Sequence, residues 1–321
     1  MTRKIGIASR LTDQLRNSTV NHGRNYRKKS DEGLLHDDAL EKEKEKEMRR
    51  ILTIEEAPNY LRHNPYILNG YRGCKTKKLC VESVFWWTNE TVNIWSHVLG
   101  FIFFFVLACY DVYFTDASYL QKAIGLFASI NFQIALISST IYHIFSCRND
   151  KIYDCLLAVD MFGISLSLLA IYLSGIYFAF TCYEYHRFFY LITVLLIFTI
   201  AIVLQIPQYN FSPNVKISVL FGWAAYGILP TLHGIIVMGG LQHPMVQQLF
   251  PRIMGMYAIT SLAFFLFETK IPERFFPGAV DYVGSSHQWW HLLILFAFFY
   301  WRNTGLLYFE YINNHGCIVL T

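Results

Sequence analysis

Long runs of apolar residues alternate with short polar connections over most of the chain. An α-helix needs about 20 predominantly apolar residues to cross the hydrocarbon core of a bilayer. Seven stretches meet this requirement, at residues 94–114, 123–145, 156–180, 188–206, 217–239, 247–269 and 287–309. Because the connections are short, consecutive helices are expected to be antiparallel neighbours. The pattern therefore predicts an all-α protein, a bundle of seven transmembrane helices that we call span one to span seven.

The segments that flank the spans are polar. Residues 1–50 include the run EKEKEKEMRR (41–50), which lacks an apolar face and predicts a charged, disordered N-terminal tail. Residues 51–93 form a juxtamembrane segment, in which LCVESVFWWTNETV (79–92) indicates a short interfacial helix anchored by Trp86 and Trp87. A loop with interfacial aromatic residues is the alternative. Residues 94–310 would then be the seven-span domain and residues 311–321 a short C-terminal tail.

The basic residues are concentrated on one side of the predicted bundle. Connections on the side of the N-terminus contain Arg62, Arg72, Lys75, Lys77, Lys78, Arg148, Lys151, Lys216, Lys270 and Arg274, whereas the opposite connections hold little beyond Lys122 and Arg187. Lys and Arg favour cytosolic loops, so we expect a cytosolic N-terminus and a lumenal or extracellular C-terminus. This orientation disfavours a G-protein-coupled receptor. The first 90 residues hold no long apolar run, which predicts no cleavable signal peptide.

The composition agrees with a membrane protein. Of 321 residues, 54% are hydrophobic, 17% are aromatic and 16% are charged, which is too apolar for a typical soluble domain. The formal net charge is +4, and no basic stripe with interleaved aromatic residues indicates nucleic-acid binding. Seven cysteines are scattered without a CxxC pair, so we expect neither a disulfide framework nor a structural zinc ribbon, and most thiols free.

A few ionisable residues lie within the apolar runs, where each costs about 2.5–3.5 kcal/mol to insert. His143 is near the end of span two, Asp160 is near the start of span three, and His287 and His291 open span seven. Because neighbouring spans are antiparallel, these span ends lie on the same side of the membrane. His97, near the start of span one, is expected closer to the surface, in an interfacial or core hydrogen bond. Polar residues confined to one side argue against a transporter or channel.

Three imidazoles at one depth predict a zinc site with His143, His287 and His291 as ligands, since two of them are one helical turn apart. Three protein ligands leave a fourth position for water, as in catalytic zinc sites. Asp160 is expected to be the general base, because it is the only carboxylate that the sequence places at this depth. Ser139, one turn before His143, is expected to contact the water, a ligand or a histidine. The alternatives are interfacial histidines and a serine that packs between helices.

Six motifs resemble the progestin and adipoQ receptor family, which is adiponectin-receptor-like and related to haemolysin III. They are NPYILNGYR (64–72), NETVNIWSHVLGF (89–101), SSTIYHIFSC (138–147), VDMFGIS (159–165), IPERFFPG (271–278) and GSSHQWWH (284–291). The resemblance covers residues 51–310. It implies a cytosolic N-terminus and a zinc ion near the cytosolic face. It also implies His143, His287 and His291 as ligands, Asp160 beside the zinc-bound water, and Ser139 as the serine of an SxxxH motif.

NGYR, NETVNIWSH and GSSHQWWH are similar to a Golgi-resident member of that family. This resemblance implies an integral Golgi membrane protein, a signalling receptor or regulator that tethers a Raf-type kinase through its cytosolic N-terminal segment and restrains MAP kinase signalling. The alternative is a ceramidase-like, zinc-dependent hydrolase of lipid amide bonds, with a ceramide-like lipid or a free fatty acid in the bundle. Whether the protein is an enzyme stays open at this point, and no nucleic-acid partner is expected.

Overall fold

The computed structural model describes residue 43, residues 46–206, residue 209 and residues 211–317. Nearly all of the predicted charged tail, and the last four residues of the predicted C-terminal tail, lie outside the described residues. The described residues from Ile51 onward form one compact unit. It is built mainly from helices.

Seven helices are long and apolar enough to cross a membrane, which confirms the seven-span, all-α prediction. They are span one (Thr91–Phe114), span two (Tyr119–Phe145), span three (Asp150–Ala179), span four (Glu184–Gln205), span five (Pro213–Tyr226 and Ile228–Val237), span six (Pro244–Thr269) and span seven (Ser286–His315). Span seven continues past residue 310, where a tail was expected to begin, because Tyr308, Phe309 and Tyr311 pack in a buried aromatic cluster.

Polar residues cap the ends of spans two and three. Ser118 and Gln121 form a capping box at the start of span two, so that each side chain satisfies a backbone N–H at the helix end. Asn149 caps span three, and its Oδ1 accepts from the N–H of Ile152 at 2.9 Å. A single 3₁₀ turn, Ser146–Arg148, joins spans two and three. The short connection makes the two helices antiparallel neighbours and brings Asp160 beside span two.

Aromatic and small residues hold the spans together. The rings of Phe132 in span two and Phe298 in span seven are stacked with centroids 4.1 Å apart. A Cβ added to Gly163 in span three would lie 2.9 Å from the Cα of Ala135, so glycine is what lets spans two and three approach closely. This packing sets the spacing between the end of span two and the start of span seven, where the candidate histidines are.

The juxtamembrane segment contains two short strands and one short helix. Strand β1 (Ile51–Leu52) pairs antiparallel with strand β2 (Tyr71–Arg72). The helix is Lys77–Glu82, followed by the 3₁₀ turn Ser83–Phe85. The predicted helix is therefore present but ends before Trp86, whose backbone is extended. Thr88 and Asn89, which follow Trp87, favour caps and turns over helix interiors, which explains why the helix does not continue to residue 92.

Two buried carboxylates join the juxtamembrane segment to the connection before span seven. Glu273 accepts hydrogen bonds from the backbone N–H of Ser286 at 2.8 Å and from Nδ2 of Asn64 at 2.9 Å. Asp281 accepts from the backbone N–H groups of Leu68 at 3.0 Å and Asn69 at 2.9 Å. Hydrogen bonds of buried carboxylates are among the stronger ones in proteins. They fix the start of span seven, and with it His287, against residues that precede span one.

The opposite end of the bundle holds two features that the sequence did not indicate. Cys182 and Cys317 form a disulfide, which corrects the expectation of no disulfide pairing, while the other five cysteines are free, as expected for most of them. Asp111, near the end of span one, forms an ion pair with Arg302 in span seven, with Arg302 Nε 2.7 Å from Asp111 Oδ2. Pairing offsets the cost of charged groups within the bundle.

Candidate metal centre

Three histidines meet at one end of the bundle. His143 is in the last turn of span two, and His287 and His291 are in the first two turns of span seven. A nitrogen atom of each lies within 4.8 Å of the others, and the Nε2 atoms of His143 and His287 are 3.3 Å apart. His143 and His291 are each only 2% exposed. The three side chains lie close enough together to bind one metal ion.

Two side chains contact the ring nitrogens that face away from this centre. They are Glu90, the N-terminal cap of span one, and His97 within span one. Oε2 of Glu90 is 2.7 Å from Nδ1 of His143. A carboxylate only accepts hydrogen bonds, so the imidazole donates from Nδ1 and keeps a lone pair on Nε2. On the other side of the centre, Nε2 of His97 is hydrogen-bonded to Nδ1 of His291. Metal-binding histidines commonly have such a partner, which fixes the tautomer and the ring orientation.

Glu90 is itself held in place and ionised. Nδ2 of Asn93 donates to its Oε2 at 2.8 Å. Burial alone would raise the pKa of Glu90, but the ring of His143 and the guanidinium of Arg72 outweigh burial and hold the pKa well below its usual value. Glu90 is therefore a carboxylate at neutral pH, and its negative charge favours positive charge at the histidine centre.

The three imidazoles fit a zinc ion. Zinc–nitrogen bonds of about 2.0–2.1 Å place the ligand atoms of a tetrahedral site about 3.3–3.4 Å apart. The 3.3 Å between Nε2 of His143 and Nε2 of His287 matches that spacing. Nε2 of His291 is buried and has no hydrogen-bond partner among the described residues. A buried polar atom without a partner is costly, and a bound cation would satisfy it. The widest separation, 4.8 Å, exceeds the tetrahedral spacing, so binding would draw the rings together.

Asp160 and Ser139, the two other predicted site residues, lie beside the histidines. Both are buried, with 9% and 4% of their surface exposed. The carboxyl group of Asp160 interacts electrostatically with His143 and with the hydroxyl of Ser139. The structure thus brings together all five residues that the sequence singled out, from spans two, three and seven. Their roles as ligands, general base and supporting hydroxyl stay predictions.

Two more residues belong to the site, one missed by the sequence reasoning and one expected to form a hydrogen bond. Asp160 is not the only carboxylate at the histidines, because Glu90 at the start of span one contacts His143 directly. His97 is 6% exposed and is hydrogen-bonded to His291 in the core, which was one of its two expected roles. Glu90 and His97 are seven residues apart and so share one helix face. This spacing of two ionisable residues is the sequence signal from which a shared role could have been inferred.

The bundle contains two cavities with different linings. A cavity of about 60 Å³, with both polar and apolar lining, lies against the centre and is lined by Glu90, His143, His287 and residues of the juxtamembrane segment. It is large enough for ordered water. A larger, mostly apolar cavity of about 180 Å³ lies between spans three, five, six and seven, and includes Tyr172 and Trp301 in its lining.

Comparison with known proteins identifies the family. A family model described as haemolysin-III related matches residues 85–302. Human progestin and adipoQ receptor family member 3 is 40% identical over 276 residues, which are 84% of this chain and 89% of that protein. Heptahelical transmembrane protein 1 of Arabidopsis thaliana is 30% identical over 283 residues, 84% of each chain. Adiponectin receptor protein of Drosophila melanogaster is 27% identical over 249 residues, 75% of this chain and 56% of that protein. The chain belongs to the haemolysin-III related family and, within it, to the progestin and adipoQ receptors.

Proposed function

We propose that this protein is a zinc-containing signalling receptor or regulator that tethers a Raf-type kinase at the Golgi membrane and restrains MAP kinase signalling. Membership in a receptor family and 40% identity to progestin and adipoQ receptor family member 3 support the receptor part. The observation that carries the zinc part is the convergence of His143, His287 and His291, with Nε2 of His291 buried and unpartnered among the described residues. The kinase and the Golgi membrane come from the sequence resemblance described above.

The proposed orientation has the N-terminus and the metal centre on the cytosolic side. The Lys and Arg residues of the short connections support it. The disulfide between Cys182 and Cys317 adds independent support, since it lies at the end of the bundle opposite to the histidines. Disulfides persist in the lumen of the secretory pathway and are rare in the cytosol. A cytosolic kinase would then meet the juxtamembrane segment and the tail that precedes it.

The juxtamembrane segment is bonded directly to the metal centre, which supports a signalling role. The guanidinium of Arg72 donates to the backbone carbonyl of His143, and its other terminal nitrogen donates to Oγ of Ser83 at 2.7 Å. A shift of His143 on metal binding would therefore be transmitted to residues 71–83, on the face proposed to meet the kinase.

The test measures how much of a Raf-type kinase sediments with Golgi membranes from cells that express the full chain. We expect recruitment by the wild type, weaker recruitment on deletion of residues 1–50, and weaker recruitment by His287→Ala. His315→Ala, at the other end of span seven, is the matched control and should recruit as the wild type does. A kinase distribution that is the same with and without the protein would refute the tether.

Hydrolysis of a lipid amide bond is the second candidate, and the position of Asp160 favours it. A zinc ion held by three histidines supplies Lewis acidity and lowers the pKa of bound water to about 7. The carboxylate of Asp160, buried beside His143, would take a proton and return it to the leaving amine. Ser139 would hold that carboxylate in position. A ceramide-like lipid or a free fatty acid would place its chain among the spans.

Fatty-acid release from ceramide by purified, zinc-loaded protein separates the two candidates. If the protein is a hydrolase, Asp160→Asn should abolish release while the zinc content is retained. Asp154→Asn is the control, because Asp154 is exposed on the same helix. Zinc-loaded wild type without any release would exclude hydrolysis of ceramide and leave the receptor proposal in place.

A further inference from the structure

The juxtamembrane helix, Lys77–Glu82, buries one face and exposes the other. Leu79 and Cys80 are buried on the side that packs against span two. On the opposite side Val81 is 52% exposed, and Phe85 in the following 3₁₀ turn is 78% exposed. The inner face of this short helix is therefore fully used, while its outer face presents large apolar side chains that nothing in the bundle covers. Exposed apolar surface of this kind marks contact with a partner or with lipid.

Two lysines lie on the same outer face. Residues three or four positions apart share one side of a helix, so Lys77 and Lys78 both lie beside Val81, and Phe85 continues the row by one turn. Both lysines are exposed. Among the described residues, Glu82, at 3.8 Å from Lys78, is the one carboxylate within ion-pair distance of either lysine. We call Lys77, Lys78, Val81 and Phe85 the outer face.

The outer face continues onto the surface of span one that faces lipid. The rings of Phe85 and Trp95 contact each other edge to face, with centroids 5.8 Å apart. Nε1 of Trp95 also donates to the backbone carbonyl of Val84 at 3.0 Å, which fixes the two segments against each other. Leu99, one turn after Trp95, is exposed, as expected for a side chain that faces lipid. Phe85, Trp95 and Leu99 thus form one apolar stripe, which places the outer face where the hydrocarbon core meets the headgroups.

We propose that the outer face binds anionic phospholipids of the cytosolic leaflet. Apolar side chains next to basic ones are typical of helices that lie in the membrane interface. Phe85 and Val81 would contact the upper acyl chains, while the lysine stems extend along them and hold the ammonium groups at the phosphates. Lys75, just before the helix, is exposed as well, so three lysines against one glutamate leave a net positive charge. A zwitterionic headgroup offers no net charge to complement it, whereas an anionic headgroup does.

The consequence is that the juxtamembrane helix is held in the membrane plane by a force that depends on the lipid composition of the leaflet. The choice of leaflet rests on the orientation proposed above. The binding itself uses none of the residues of the histidine centre. It leaves the N-terminal tail and strands β1 and β2 to a cytosolic partner.

Photo-crosslinking from position 85 tests the occupant of this face. The full chain, with p-benzoylphenylalanine in place of Phe85, is reconstituted in nanodiscs of phosphatidylcholine with a known minority of phosphatidylserine that has the same acyl chains. We expect phosphatidylserine adducts about fivefold or more above the bulk ratio. Tyr119, exposed at the opposite end of the bundle, is the matched control position and should label both lipids in their bulk ratio. Adducts at position 85 in the bulk ratio, or adducts to a protein in place of lipid in intact cells, would overturn the proposal.

A charge variant separates this face from the overall positive charge of the cytosolic end. Lys77→Gln, with the crosslinker at position 85, should lower the preference for phosphatidylserine about fivefold, the contribution of one lysine near an anionic membrane. Lys151→Gln removes one exposed charge from the first turn of span three and should leave the preference within twofold. An equal loss in the two variants would refute the outer face as the binding surface. Because nanodiscs present both leaflets and contain no kinase, that result would leave the orientation, the kinase tether and the hydrolase candidate as they stand.

Discussion

Replacement of Glu90 by Gln isolates the charge of one carboxylate at the metal centre. In the wild type, the imidazole of His143 donates from Nδ1 to Oε2 of Glu90 over 2.7 Å, and that oxygen also accepts from Asn93 at 2.8 Å. Glutamine has the same shape, and its amide oxygen can accept both bonds. What is lost is the negative charge that supports a metal on the opposite ring nitrogen.

The expected magnitude follows from the two kinds of hydrogen bond. A bond to a charged group contributes about 1.5–3 kcal/mol, and a neutral one about 0.5–1.5 kcal/mol. The difference, about 1–1.5 kcal/mol, is close to a tenfold change in affinity. We therefore expect Glu90→Gln to bind zinc at the histidines about tenfold more weakly. Glu90→Ala also leaves Nδ1–H of His143 without its partner, and the loss should approach a hundredfold, the upper end for such partners.

Zinc affinity is measured by competition with a chelator of known affinity, on the purified protein. Glu55→Gln is the matched control, because it removes an exposed carboxylate from the same juxtamembrane segment. It should bind zinc as the parent does. If Glu90→Gln and Glu55→Gln have affinities within twofold of each other, then the charge of Glu90 does not support a metal at His143, and the proposed role of this carboxylate is refuted.

Three further predictions concern the packing and ion pairing of the bundle and the role of His97. Gly163→Ala should lower the melting temperature, because overpacking costs about 1–3 kcal/mol and exceeds the gain in helix propensity. Gly125→Ala is the control: its added Cβ would contact nothing within 4 Å outside its own helix backbone, and the melting temperature should not fall. Asp111→Asn should destabilise the protein by about 2–3 kcal/mol in thermal unfolding, because it leaves Arg302 partly buried and unpaired, and adding Arg302→Met should recover most of the loss. His97→Phe should weaken zinc binding about tenfold in the chelator assay while the fold is retained, because Nδ1 of His291 loses its partner. Unchanged affinity would mean that His97 only packs against its neighbours.

The spans and the three histidines were predictable from the sequence because both depend on short-range patterns. Runs of about 20 apolar residues identify helices that cross a membrane without reference to the rest of the fold. The i,i+4 spacing of His287 and His291 places both on one helix face. His143 could be added because the parity of antiparallel spans determines the side of the membrane on which each span end lies.

The partners of these histidines were not predictable in the same way, because each pair depends on how two spans are rotated about their axes. Glu90 and His143 are 53 residues apart in sequence, and His97 and His291 are 194 apart. Apolar runs do not specify helix rotation, which is set by close packing such as that at Gly163. The disulfide, whose cysteines are 135 positions apart, escaped the sequence reasoning for the same reason.

Arg72 connects the histidine centre to the juxtamembrane segment. Its guanidinium donates to the backbone carbonyls of His143 and Ile144 at the end of span two, and to Ser83 beside the juxtamembrane helix. Together with the ring of His143, the same charge holds the pKa of Glu90 well below its usual value. Because a guanidinium is planar and rigid, movement of one of these partners displaces the others, which a flexible lysine would not do. If the juxtamembrane segment meets a kinase, then the occupancy of the histidine centre can alter the surface that the kinase contacts without any new contact to the metal.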